Sequence, residues 1–92
     1  MMIENRILDA VDEARDALVE FAQHIISLPS ENPTGSEKSV AHAIRKEMER
    51  IPLTDIQLVS KLPERPNVIG TLVGYSTGKR LLFNGHTDVV PV

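Results

Sequence analysis

The sequence predicts an α/β fold in which two amphipathic helices precede three strands. Apolar residues recur every three or four positions up to residue 51 and then collect in short runs separated by turn signals. A chain of 92 residues is long enough for one domain with a modest hydrophobic core. We therefore expect residues 1–92 to belong to a single α/β domain.

Two helices are predicted before Pro52. The first covers residues 4–28 and ends before Pro29, because proline disfavours helical backbone in the residue that precedes it. The second follows Thr34 and Glu37, which have the spacing of a capping box. The apolar positions that predict the two helices are Ile3, Ile7, Val11, Ala14, Leu18, Phe21, Ile25 and Leu28, then Val40, Ile44, Met48 and Ile51.

Three strands are predicted after the helices, at residues 56–59, 68–73 and 81–83. Residues 74–79 contain two glycines and favour a hairpin, so the second and third strands are expected to be antiparallel neighbours. The run at residues 81–83 is apolar without alternation, which is typical of a strand covered on both faces.

Composition and charge exclude several classes of function. The formal net charge is -3, and the three aromatic residues are not interleaved with Lys or Arg, so we discount nucleic-acid binding. The N-terminus lacks a basic segment followed by an apolar run, and no membrane-spanning segment is predicted, so we expect a cytoplasmic protein. Because the chain has no cysteine, any zinc site must use histidine and carboxylates.

The most informative pattern lies at the end of the third predicted strand. An apolar run delivers Gly85, His86 and Asp88 to the carboxyl end of the strand, where open α/β sheets place their ligands. In extended backbone, residues i and i+2 face the same side. Asp88 can therefore contact one ring nitrogen of His86 while the other nitrogen binds a metal. An isolated H-x-D is a weak signal, because it arises often by chance.

The whole string GHTDVVP at residues 85–91 resembles the first signature of the zinc-dependent aminoacylase, acetylornithine deacetylase and succinyl-diaminopimelate desuccinylase family of metallopeptidases. Residues 28–35 look like the family's P-S-x-N-P-x-G loop, and residues 65–70 look like its R-x-N-V strand entry. The resemblance spans nearly the whole chain. It implies the N-terminal part of a mixed-sheet α/β/α zinc-peptidase-like catalytic domain.

By this resemblance, His86 is a ligand in a two-zinc site, with cobalt as a compatible substitute, and Asp88 is a catalytic carboxylate. The implied reaction is hydrolysis of an amide bond in an N-acyl amino acid or small peptide, and the implied full-length protein is compatible with a homodimer. The family's other ligands and its general base lie downstream of this motif. We therefore expect residues 1–92 to be an N-terminal fragment of the catalytic domain that is inactive alone.

Several alternatives stay open. The chain can also be a catalytically silent fold or interaction domain in which His86 and Asp88 form a structural hydrogen bond. A barrel amidohydrolase is a weaker match, because its first strand ends in H-x-H. His24 and His42 are expected on solvated helix faces. The loop at residues 30–35 either borders the active site or only separates two helices, and the second interpretation is favoured.

Overall fold

A computed structural model describes residues 2–92. The helices are α1 (Ile3–Glu13), α2 (Arg15–Ser27) and α3 (Lys38–Met48), and the strands are β1 (Asp55–Val59) and β2 (Asn67–Thr71). Within this described part, no helix is long and apolar enough to cross a membrane. Residues 2–92 form a small mixed α/β unit of three helices and one two-stranded antiparallel sheet.

The first predicted helix is present as two helices that meet at Ala14. The backbone N–H of Ala14 donates to the carbonyl of Ala10 at 3.1 Å, and the N–H of Leu18 donates to the carbonyl of Ala14 at 2.9 Å. The hydrogen-bond ladder therefore continues past the interruption. The apolar stripe lies along both helices as predicted, yet neither helix has a buried residue. Most of this apolar stripe is exposed to solvent.

The second predicted helix is confirmed as α3, but the capping box is wrong. Glu37 occupies the N-cap position without a side-chain cap, and the hydroxyl of Ser36 accepts a hydrogen bond from the Lys38 N–H at 3.1 Å instead. The physical reason is that the Glu37 carboxylate is engaged by Arg65. Helix α3 supplies two buried aliphatic residues, Val40 and Ala41.

The two strands pair with each other, in a register that places Ile56 opposite Gly70 and Leu58 opposite Val68. The pairing extends by one residue at Thr54, whose N–H donates to the carbonyl of Thr71 at 2.7 Å. Helix α3 packs against both strands. Ile56, Leu58 and Val68 are half-buried, so the small core lies between α3 and the sheet.

Helix α3 and the segment that follows it approach β2 closely at Gly70. A methyl group on Gly70 would lie 2.9 Å from Cδ1 of Leu53 and 3.0 Å from Sδ of Met48. Both distances are shorter than normal carbon contacts, so a larger residue would push these side chains away from the sheet.

The third predicted strand is wrong, and so is the predicted hairpin through residues 74–79. Residues 81–83 have no strand partner, and the strand predicted at residues 68–73 pairs instead with the one at residues 56–59. An apolar run becomes a strand only when another backbone offers it hydrogen bonds. Phe83 is 86% exposed. The pairing near the end of the chain is instead a single parallel bridge between Glu31 and Val89.

This exposure predicts the behaviour of the 92 residues on their own. We expect no sharp cooperative thermal transition of a monomer, because the apolar stripe of α1 and α2 and residues 81–83 expose too much apolar surface. Calorimetry at several protein concentrations, combined with binding of a hydrophobic dye, measures this. A single cooperative melt that is independent of concentration and without dye binding would contradict the expectation.

Candidate metal centre

His86 and Asp88 contact each other as the sequence predicts. Nδ1 of His86 lies 3.1 Å from Oδ1 of Asp88 and 3.0 Å from the backbone carbonyl oxygen of the same residue. The strand predicted at residues 81–83 is absent, so the contact depends on the local backbone of residues 86–89 rather than on the end of a strand. The His86 side chain is 86% exposed, which leaves its ring open to a ligand.

The two neighbours of Nδ1 determine the tautomer of His86. A carboxylate and a carbonyl oxygen are both acceptors, so Nδ1 carries the proton and donates it. The lone pair of the neutral ring is then on Nε2, at the other side of the ring. Metal-binding histidines commonly have this arrangement, in which a carboxylate or carbonyl orients the ring through the nitrogen that does not bind the metal.

The other oxygen of Asp88 contacts the loop after α2. Nδ2 of Asn32 donates to Oδ2 of Asp88 at 3.1 Å. The backbones of the two segments are also paired, because the Asn32 N–H donates to the Val89 carbonyl at 2.9 Å and the Val89 N–H donates to the Ser30 carbonyl at 3.0 Å. The loop at residues 30–35 therefore borders the His86–Asp88 pair, in addition to separating α2 from α3.

Arg65 fixes the far side of this loop. Its Nη2 donates to the carbonyls of Pro33 and Gly35, each at 2.9 Å, and its Nη1 donates to the buried carboxylate of Glu37. We call these contacts the Arg65 network. The Arg65 network connects residues 65–70 to the loop at residues 30–35, and this loop contacts Asp88. The three segments that carry the resemblance are therefore neighbours.

Gly35 permits the tight turn inside the loop. Its N–H donates to the Glu31 carbonyl at 2.8 Å, and a methyl group on Gly35 would lie 2.9 Å from that same oxygen. Because the neighbour is backbone rather than a flexible side chain, a larger residue would open the turn.

The hydrogen bonds on Asp88 also shift its ionisation. The hydrogen bond from the Asn32 amide is the largest cause that lowers the pKa of Asp88 below its ordinary value; desolvation opposes it, and the hydrogen bond and charge of His86 add smaller lowering effects. Asp88 therefore remains an anionic acceptor for His86 throughout the neutral range.

We expect Asn32→Leu to raise the pKa of Asp88, because the substitution removes the strongest of these interactions. A lowered pKa in the folded state means that the contact stabilises the fold above the ordinary carboxyl range. That stability is lost as the pH falls through the lowered pKa. A carbon-13 NMR titration of the Asp88 carboxyl group measures the change. An unchanged or lower pKa in the variant would contradict this prediction.

An apolar cleft of about 290 Å³ adjoins the pair. Its walls come from α2, α3 and the segment that contains His86, and they include Ile25, Leu28, Val40 and Ile44. His86 and Asp88 therefore lie at the boundary between an apolar cleft and solvent.

Other candidate ligands do not join this pair. Among residues 2–92, no group of three or more His, Asp or Glu side chains is arranged to hold a metal ion. His24 and His42 are exposed on α2 and α3, as the sequence predicts. The described residues therefore offer one possible metal ligand, His86, and a carboxylate that orients it.

Comparisons with protein-family models, curated proteins and solved structures give no match to this chain. The assignment of a function therefore depends on the geometry of residues 86–88 and on the sequence strings around them.

Sequence reasoning missed three residues of this centre, namely Asn32, Glu37 and Arg65. Asn32 and Arg65 lie in strings already singled out by the resemblance, and this was the signal that could have indicated them. Glu37 was assigned to a helix cap, and only the structure shows its partner.

Proposed function

We propose that this chain is the N-terminal part of a metal-dependent hydrolase that cleaves amide bonds in N-acyl amino acids or small peptides. One observation carries the proposal. Nδ1 of His86 faces only acceptors of Asp88, which directs the lone pair to Nε2 in an exposed ring. The three sequence strings that resemble the deacylase family also meet at this place.

In this function His86 binds the metal through Nε2, and Asp88 keeps the ring in the correct tautomer and orientation. A zinc ion bound there supplies Lewis acidity toward the scissile carbonyl and lowers the pKa of a bound water. Asp88 accepts a hydrogen bond from the Nδ1–H group throughout, because a carboxyl group with a lowered pKa stays ionised at neutral pH. The exposed position of His86 leaves room for further ligands and for substrate.

The proposal requires more ligands than residues 2–92 bring together. A catalytic zinc normally has three protein ligands and a water, and a two-zinc site needs more. His86 is one such ligand here. The remaining ligands and the general base must therefore come from other residues of the natural protein, as the resemblance implies.

The test is the intact mass and metal content of the natural protein, followed by assays with N-acetyl amino acids. We expect about two zinc ions per chain, in line with a two-metal mechanism, and hydrolysis that a chelator abolishes and zinc or cobalt restores. Natural protein without bound metal and without hydrolysis that depends on metal would refute the proposal.

A second candidate is a catalytically silent fold or interaction domain. The observation that favours it is that the same contacts attach the end of the chain to the loop after α2, through Asn32, Asp88 and Val89. Such a structural role needs no metal. The metal content of the natural protein therefore distinguishes the two candidates.

A further inference from the structure

We propose that Asn32 is a positioning residue for the metal ligand, acting on His86 through Asp88. This inference rests on the proposed function for its effect on metal binding, but its effect on the His86 ring does not require a metal. The juxtaposition that carries it is a line of three side chains, Asn32, Asp88 and His86, drawn from segments 56 residues apart.

The two oxygens of Asp88 have different partners. Oδ1 faces Nδ1 of His86 at 3.1 Å, and Oδ2 accepts from Nδ2 of Asn32 at 3.1 Å. The torsion that rotates a carboxylate is broad, so a single hydrogen bond leaves its plane poorly defined. A second donor on the opposite oxygen restricts that rotation. Asn32 therefore keeps Oδ1 directed at the imidazole.

Asn32 is itself held in place on both sides. Its N–H donates to the Val89 carbonyl at 2.9 Å, which aligns it with the segment that carries Asp88. On the other side, Arg65 binds the carbonyls of Pro33 and Gly35. The amide of Asn32 is thus presented to Asp88 from a loop whose backbone is fixed before and after it.

The chemistry of position 32 is also specific. A carboxylate accepts hydrogen bonds and cannot donate them, so only the NH₂ group of Asn32 satisfies Oδ2. An aspartate at this position has nearly the same shape, but it places a second negative charge against Asp88. Leucine has a similar volume and offers no donor. Substitution by aspartate or leucine therefore separates the effect of side-chain shape at position 32 from the effect of its hydrogen-bond donor.

The experiment uses the natural protein labelled with ¹⁵N-histidine and freed of metal, at a pH where His86 is neutral. The ring nitrogen shifts report the tautomer of His86, and its signals are assigned with His86→Gln. We expect the Nδ1–H form in the natural protein. In Asn32→Leu and Asn32→Asp we expect a smaller fraction of the Nδ1–H form, because Oδ1 is no longer held toward Nδ1 while the backbone carbonyl of Asp88, at 3.0 Å, remains as an acceptor. Asn84→Leu, which changes an exposed amide two residues before His86, is the matched control and should retain the Nδ1–H form.

Zinc affinity is the second readout. Loss of a partner that orients a ligand costs 10- to 100-fold in metal affinity, and we expect about tenfold weaker zinc binding in Asn32→Leu because Asn32 acts through Asp88. Asn84→Leu should bind zinc as the natural protein does. If Asn32→Leu does not fold, the His86 tautomer measured in the nearly isosteric variant Asn32→Asp decides the test.

The outcomes separate the two proposals. An unchanged tautomer in a folded Asn32 variant, or a natural protein whose His86 is not in the Nδ1–H form, would overturn the role of Asn32. A natural protein that binds no zinc, together with Asn32 variants that still show less of the Nδ1–H form of His86, would refute the proposed hydrolase function. The same result would support the role of Asn32 in positioning the His86 ring.

Discussion

In the proposed hydrolase, replacing His86 by alanine is expected to lower kcat/KM for N-acyl amino acids by about a thousandfold or more. A metal ion supplies several kcal/mol of transition-state stabilisation, and about 4 kcal/mol corresponds to about a thousandfold in rate. His86 is the histidine whose Nδ1 is oriented by a carboxylate. If His86 is the ligand that we propose, its loss should lower the zinc content together with the activity.

The matched controls are the other two histidines of the chain. His24→Ala and His42→Ala remove the same side chain from exposed positions on α2 and α3, and both variants should retain zinc and activity. Steady-state kinetics and elemental analysis of the three variants make the comparison. His86→Ala that retains full activity and zinc, or controls that lose as much, would show that the ligand has been misassigned.

Replacing Arg65 by methionine is expected to destabilise the fold by about 3 kcal/mol. Breaking a buried ion pair by removing one partner costs roughly 3–5 kcal/mol, and we expect the low end because the Arg65 side chain keeps 27% exposure. The Glu37 carboxylate, which is only 7% exposed, would lose its partner. The carbonyls of Pro33 and Gly35 would also lose a donor.

Urea denaturation of the natural protein measures this change in the free energy of unfolding. Arg50→Met is the matched control, because the ion pair of Arg50 with Glu47 is largely exposed and such pairs contribute about 0–1 kcal/mol. The double variant Arg65→Met with Glu37→Met should recover part of the loss, since no buried charge is left. Equal effects of Arg65→Met and Arg50→Met would contradict the assignment of the Arg65 network.

Sequence patterns over a few residues predicted the helices and strands that depend mainly on contacts between residues close in sequence. The spacing of apolar residues indicated the helical stretches and the strand positions of β1 and β2. It did not predict the interruption at Ala14, because alanine breaks neither the periodicity nor the helix propensity. It also assigned a strand to residues 81–83, since an apolar run says nothing about whether a neighbouring backbone is there to pair with it.

The candidate site was predictable only in part, for a similar reason. The pairing of His86 with Asp88 is a contact between residues two apart, so the motif alone indicated it. The contacts of Asn32 with Asp88 and of Arg65 with Glu37 join residues 56 and 28 positions apart. No local rule specifies such contacts, and the competing local rule of the capping box assigned Glu37 to the wrong partner.

The bridge between Glu31 and Val89 also has a consequence for the order of folding. Contacts between residues close in sequence form readily, whereas the bridge and the bond of Asn32 to Asp88 require closure of a loop of more than 50 residues. We expect the helices and the β1–β2 hairpin to form earlier. The His86–Asp88 segment then attaches after them, so the candidate metal ligand takes its place late in folding.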